Sequence, residues 1–179
     1  FMHRVNSITE DIAHHADEAM TSRDGVTVLR GHARLAAADR AVVRTEEGEK
    51  EVRARAVVIA TGARPVRPDF LPWDSPRIMS SDNACRADDL PESVLVLGGG
   101  PVGCEFATVY SELGIPTIIV EIHDRLLGRL DPVASEAVRG LLEERGARVV
   151  TGVEVKEAEL TDSGVRVKVG DEAVEVSHV

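Results

Sequence analysis

The chain has 179 residues, 43% of them hydrophobic, and a formal net charge of -10, which together indicate a globular protein with a packed core. The acidic charge argues against a nucleic acid partner, because phosphate backbones attract basic proteins. No stretch of the sequence approaches the roughly 18 consecutive apolar residues of a membrane span. The two cysteines, Cys85 and Cys104, match no metal or redox spacing and indicate reduced thiols in a cytoplasmic protein.

The first half of the chain predicts one helix followed by several strands. Apolar residues at helical spacing predict an amphipathic helix over residues 1–20. Residues 26–35 predict two strands separated by a glycine, and residues 41–54 predict a β-hairpin. The apolar run over residues 55–60 predicts a buried strand that ends at a Thr-Gly turn.

A loop-like segment at residues 63–91 predicts a domain junction, and the sequence pattern of the chain changes after it. Strand patterns then alternate with helix patterns, which predicts an α/β fold with a parallel, doubly wound sheet. The strict alternation of residues 153–179 predicts a small antiparallel meander. The predicted strands are 94–97, 116–121 and 147–152, and the predicted helices are 101–113 and 131–145.

A cluster of glycines lies between the first of these strands and the first helix. Gly98, Gly100 and Gly103 satisfy the pattern G-x-G-x-x-G, which is weak alone but stands here between a buried strand and a helix. Gly98 permits the sharp turn, Gly100 lets a pyrophosphate approach the backbone, and Gly103 lets the helix lie close to the strand. The N-terminus of the helix then faces the phosphates. The alternative is a tight strand-helix turn that binds no ligand.

An acidic residue, Glu121, ends the second strand and indicates which dinucleotide is bound. A carboxylate at this position accepts both hydroxyls of an adenine ribose and repels the additional phosphate of NADP, which favours NAD(H). Arg125 and Arg129 lie nearby in the sequence and keep NADP open. The other interpretation of Glu121 is a solvated carboxylate at a strand end.

The order of several motifs resembles one known family. The segments "RGHARL", "AVVIATGARPVRP", "SSDNACRADDLPESVLVLGGGPVGCEFATVYSELG" and "IIVE" follow one another as in the pyridine nucleotide-disulfide oxidoreductases. Among these, the sequence is most similar to dihydrolipoamide dehydrogenases and soluble pyridine nucleotide transhydrogenases. The resemblance covers essentially the whole chain.

The resemblance implies a partial FAD-binding domain over residues 1–90 and a Rossmann-like NAD(H)-binding domain over residues 91–179, with the last strand truncated. It places His32 and Ala33, together with Thr61 and Gly62, next to FAD. A surface turn is the alternative role for the histidine. The predicted NAD(H) site comprises Gly98, Gly99, Gly100, Pro101, Val102, Gly103, Glu105, Glu121 and Val155. Two of these have simpler alternatives: Glu105 as a helix-face carboxylate and Val155 as a core side chain.

The family's N-terminal FAD glycine motif, its C-x-x-x-x-C redox pair and its C-terminal interface domain are not in this sequence. We therefore expect a segment of a longer protein that carries no catalytic residue, binds no metal and is inactive alone. The resemblance implies that the whole enzyme passes hydride between nicotinamide and FAD, coupled to a dithiol/disulfide, and forms homodimers. Alternatives are an NADH-dependent flavin oxidase, a transhydrogenase, a ferredoxin-type reductase, a non-catalytic NAD(H) sensor or a structural domain with a vestigial turn.

Overall fold

A computed structural model describes residues 2–179. The chain divides into two compact units, His3–Arg64 and Pro65–Val179. Residues 65–90, which the sequence analysis groups with the FAD part, therefore belong to the second compact unit. The assignment of FAD to residues 1–90 and of NAD(H) to residues 91–179 stays a prediction.

The first unit contains one long helix and a three-stranded antiparallel sheet. Helix α1 spans Met2–Thr21, close to the predicted helix. The strands are β1 (His32–Ala37), β2 (Arg40–Thr45) and β3 (Gly48–Arg53), paired in the order β1-β2-β3. The predicted hairpin is confirmed by the pairing of β2 with β3.

Two predicted strands of the first unit are wrong. Residues 26–30 and 55–60 have no strand structure, and Val58 and Ile59 are 88% and 69% exposed. A strand that is apolar on both faces needs neighbouring strands and a covering layer. The described residues provide no strand that pairs with either segment. These segments therefore have the apolar pattern of a buried strand, but no strand among the described residues pairs with them.

The second unit begins with a proline-rich loop that contains one short helix, α2 (Ser81–Ala84). A strand-helix-strand-helix-strand segment follows, and its strands form a parallel sheet in the order β4-β5-β6. Its elements are β4 (Val94–Leu97), α3 (Pro101–Glu112), β5 (Thr117–Glu121), α4 (Pro132–Glu144) and β6 (Arg148–Thr151). The predicted bounds of these five elements are correct to within two residues.

The chain ends in an antiparallel meander, β7 (Ala158–Leu160), β8 (Val165–Val169) and β9 (Glu172–Val176). After β9 the chain returns to the edge of β4, where His178 forms a parallel bridge with Val94. The predicted α/β fold class, a parallel sheet with an antiparallel meander, is confirmed.

The parallel sheet is covered by different layers on its two faces. Val120 packs in a core with meander residues such as Val165, whereas its neighbour Ile119 packs with Cys104 of α3 and Leu142 of α4. This alternation follows from the two-residue period of a strand. Both helices thus cover one face and the meander covers the other, which corrects the expectation of a doubly wound sheet.

The end of the chain is attached to the start of β4 by a side-chain network. The Ser177 hydroxyl donates to the Ser93 carbonyl (2.6 Å) and lies 3.0 Å from Nδ1 of His178. Burial lowers the pKa of His178, and the positive charge of Arg77 lowers it further, although Glu92 acts in the opposite direction. The folded state therefore binds the His178 proton more weakly than the unfolded state.

We expect acid to destabilise the protein through this histidine. The loss begins as pH falls through the unfolded histidine pKa of about 6.5 and continues until the lower folded pKa is passed. Since the imidazole is partly solvated, we expect this loss of stability to be small. Urea unfolding of wild type and His178→Gln at pH 7 and pH 5 measures it. An equal acid loss in both proteins would assign the effect to other groups.

Candidate functional site

The turn between β4 and α3 requires glycine for a conformational reason at Gly98. Its φ angle is +104°, a backbone region that side chains disfavour, and its N–H donates to the Val120 carbonyl (2.8 Å). Helix α3 begins at Pro101 with Gly100 as its N-cap residue. The chain therefore reverses direction over three residues between a buried strand and a helix.

The other glycines of the turn are required for different reasons. A Cβ atom on Gly103 would overlap the carbonyl oxygen of Gly98, and one on Gly99 would overlap the side chains of Leu126 and Glu121. A Cβ atom on Gly100 would meet nothing within 4 Å. Gly99 and Gly103 thus permit close packing inside the protein, whereas Gly100 faces open space.

Three backbone N–H groups at this turn have no acceptor among residues 2–179. They belong to Gly100, Val102 and Gly103, and the intervening Pro101 has no N–H. By contrast, the Cys104 N–H already donates to the Gly100 carbonyl (2.9 Å). Free N–H groups together with the positive end of a helix dipole favour an anion at this position.

Glu121, at the end of β5, lies beside the turn and is buried, with 8% of its surface exposed. Its Oε2 accepts from the Gly99 N–H (2.6 Å), and its Oε1 accepts from the His123 N–H (2.9 Å). The sequence analysis places this carboxylate on a ribose, and its contacts with the glycine turn were not foreseen. The ribose role stays a prediction.

A cleft with a volume of about 840 Å³ runs along β4, from Val94 to the glycine turn. Predicted site residues that line it are Gly98, Gly100, Pro101, Val102, Gly103, Glu121 and Val155. Gly99 and Glu105 do not line it, and Glu105 is exposed on α3. The cleft therefore brings together most of the predicted NAD(H)-binding residues, from three separate parts of the second unit.

Aromatic side chains, which were not among the predicted site residues, line much of this cleft. The chain has only five aromatic residues, and four of them line the cleft: Phe70, Trp73, Phe106 and Tyr110. Phe106 and Tyr110 stack on each other with ring centroids 6.0 Å apart. The sequence holds no pattern that marks these four residues as the lining of a cleft.

The four residues predicted to approach FAD lie in the first unit. His32, Ala33, Thr61 and Gly62 are all exposed, and none lines the cleft. Gly62 has a φ angle of +71°, so the Thr-Gly turn that follows residues 55–60 does favour glycine. Within the described residues these four do not form an enclosed site, and their contact with FAD stays a prediction.

Both cysteines are free, Cys85 exposed and Cys104 buried. Burial raises the pKa of the Cys104 thiol, and the charges of Glu121 and Glu105 raise it further, so the thiol is a poor nucleophile.

Across residues 2–179, no group of three or more His, Cys, Asp or Glu side chains is placed to hold a metal ion. None of the helices in that part of the chain is both long and apolar enough to span a membrane.

The fold and the glycine turn define an α/β unit with an anion-accepting cleft, and comparison with known proteins identifies its family. The family model described as pyridine nucleotide-disulphide oxidoreductase matches residues 3–179. The chain therefore belongs to this family, a family of oxidoreductases, and the predicted resemblance is confirmed.

Curated relatives carry the two names that the motifs indicated. A soluble pyridine nucleotide transhydrogenase of Chromohalobacter salexigens is 33% identical over 82% of this chain and 32% of that protein. A dihydrolipoyl dehydrogenase of Chlamydia pneumoniae is 27% identical over 98% of this chain and 38% of that protein. The chain thus spans about a third of the length of these relatives.

Two solved structures share the fold of this chain. A Cu(II) complex of the HOCl-induced flavoprotein disulfide reductase RclA from Escherichia coli has a TM-score of 0.83 and 22% identity, over 99% of this chain and 40% of that one. The water-forming NADH oxidase from Lactobacillus brevis, bound to NADH, has a TM-score of 0.64 and 17% identity, over 82% of this chain and 35% of that one.

Proposed function

We propose that the second unit binds NAD(H) across the turn from Gly98 to Gly103, as part of a larger flavoprotein oxidoreductase. The observation that carries the proposal is the open space at Gly100, beside three backbone N–H groups without acceptors in the described residues. A diphosphate supplies the negative oxygens that such donors lack. A turn that served packing alone would need only the other glycines.

The rest of the cleft matches the other parts of a dinucleotide. Glu121 offers a carboxylate at the end of the second parallel strand, where its oxygens would accept hydrogen bonds that the hydroxyls of an adenine ribose donate. Val155 lines the cleft and offers an apolar surface for the adenine. The volume of about 840 Å³ lies within the range of ligand sites. Glu105 remains a candidate for a position near the nicotinamide.

In the whole protein, NAD(H) and FAD would supply hydride transfer between nicotinamide and flavin, while the protein supplies binding and orientation. The relatives named dihydrolipoyl dehydrogenase favour coupling to a dithiol/disulfide. The transhydrogenase and NADH oxidase names keep these alternatives open. We place FAD against His32, Ala33, Thr61 and Gly62 by family membership, and we propose a cytoplasmic homodimer for the whole protein.

The nucleotide preference tests the proposal through Glu121. NADH and NADPH are titrated into wild type and Glu121→Ala, with quenching of Trp73 as the signal, since this single tryptophan lines the cleft. We expect wild type to bind NADH more tightly than NADPH. In the variant, the ratio of the two affinities should fall about tenfold, because hydrogen bonds to a charged group contribute about 1.5–3 kcal/mol each.

Glu136→Ala is the control, because Glu136 is exposed on α4 and outside the cleft. We expect it to bind both nucleotides as wild type does. An unchanged NADH to NADPH ratio in Glu121→Ala would remove Glu121 from ribose recognition. Failure of wild type to bind either nucleotide would overturn the proposed function.

A further inference from the structure

Gly99 is held from both sides, by the last residue of β5 and by the chain segment that follows this strand. Its N–H donates to Oε2 of Glu121 (2.6 Å), and its carbonyl accepts from the Leu127 N–H (2.7 Å). The Leu126 side chain fills the space where a Cβ atom of residue 99 would lie. The middle glycine of the turn is therefore enclosed and fully hydrogen-bonded.

We propose that Glu121 is a positioning residue for the glycine turn as well as a ribose ligand, an inference that rests on the proposed function. Three consecutive glycines lose more conformational entropy on ordering than any other tripeptide. The bond from Gly99 to Glu121 restricts the Gly99-Gly100 segment. The unpaired N–H groups of Gly100, Val102 and Gly103 then stay available to a diphosphate.

The two roles of Glu121 are chemically compatible. A carboxylate has about four lone-pair sites, and the protein uses one on each oxygen, for Gly99 and for His123. The remaining sites accept no hydrogen bond within the described residues, with Nε2 of His123 lying 3.9 Å from Oε1, and ribose hydroxyls can donate to them. A glutamine at this position has one acceptor oxygen, and its NH₂ group would face a backbone N–H. One side chain thus links recognition of the ribose to the order of the phosphate turn.

A nucleotide without ribose hydroxyls separates the two roles. ADP and 2′,3′-dideoxy-ADP are titrated calorimetrically into wild type and Glu121→Gln, with Glu136→Gln as a control that also removes one negative charge. If Glu121 positions the turn, Glu121→Gln should lower the affinity for dideoxy-ADP by about tenfold. The affinity for ADP should fall further, because only ADP also loses hydrogen bonds from its ribose hydroxyls. The control is expected to bind both nucleotides as wild type does.

Hydrogen exchange of the unliganded wild type tests the same contact without a variant. We expect the Gly99 amide to exchange at least tenfold more slowly than the Gly100 amide, which has no acceptor in the described residues. Equal exchange rates would overturn the positioning role even if Glu121→Gln failed to fold.

The outcomes distinguish this inference from the proposed function. If Glu121→Gln binds dideoxy-ADP as wild type does but loses ADP affinity, Glu121 acts on the ribose alone. The inference then fails and the NAD(H) site stands. If wild type binds no ADP, the proposed function fails and the inference fails with it.

Discussion

Replacing Gly100 with valine is expected to lower NADH affinity at least about 100-fold while leaving the fold intact. Gly100 has an extended backbone that valine adopts easily, and no atom lies within 4 Å of the position of its Cβ. The valine side chain would instead occupy the space in front of the free N–H groups. Loss of two charge-assisted hydrogen bonds, at about 1.5 kcal/mol each, corresponds to this factor.

The measurement pairs NADH titration with thermal unfolding. Gly140→Val is the matched control, because a Cβ atom at Gly140 on α4 would also meet nothing within 4 Å and lies outside the cleft. We expect this control to bind NADH normally. Tight NADH binding by a folded Gly100→Val protein would contradict the placement of a diphosphate at this turn.

The parallel sheet of the second unit was predictable because its environment matches its sequence pattern. Strand β5 is apolar on both faces, and the structure covers one face with helices and the other with the meander. Residues 55–60 show the same apolar run but are not a strand, since no described strand pairs with them. An apolar run thus predicts a strand only where the remaining chain supplies the neighbours.

The residues of the candidate site differ in how much of their role the sequence alone predicts. The glycine spacing, together with its place between a strand pattern and a helix pattern, identified the glycine turn, because tight turns and close packing restrict the residue type locally. The bond between Gly99 and Glu121 joins residues 22 positions apart and depends on the parallel pairing of β4 with β5, which brings the ends of the two strands together. Phe106 and Tyr110, four residues apart on α3, have the spacing of an ordinary core face. This spacing is the same whether the helix face lines a cleft or packs in a core, so it does not predict the cleft.

Replacing Gly103 with alanine is expected to destabilise the second unit by about 3 kcal/mol, an effect opposite in kind to that of Gly100→Val. The added methyl group would overlap the Gly98 carbonyl, which belongs to backbone rather than to a flexible side chain. Gly98 cannot move easily, because its N–H is bonded to Val120 in the sheet. Helix α3 must shift instead, and overpacking of this kind costs about 1–3 kcal/mol or more.

Urea unfolding followed by Trp73 fluorescence measures this loss, since the single tryptophan lies in the second unit. In a protein of this size, 3 kcal/mol corresponds to a melting temperature about 10 °C lower. The same substitution at Gly140 should stabilise the protein by up to about 1 kcal/mol, because alanine favours an open helix position. If Gly103→Ala were as stable as wild type, α3 would not need the close contact with Gly98. Gly103 would then be required for contact with the ligand, and the Gly103→Ala protein would bind NADH more weakly than wild type without being less stable.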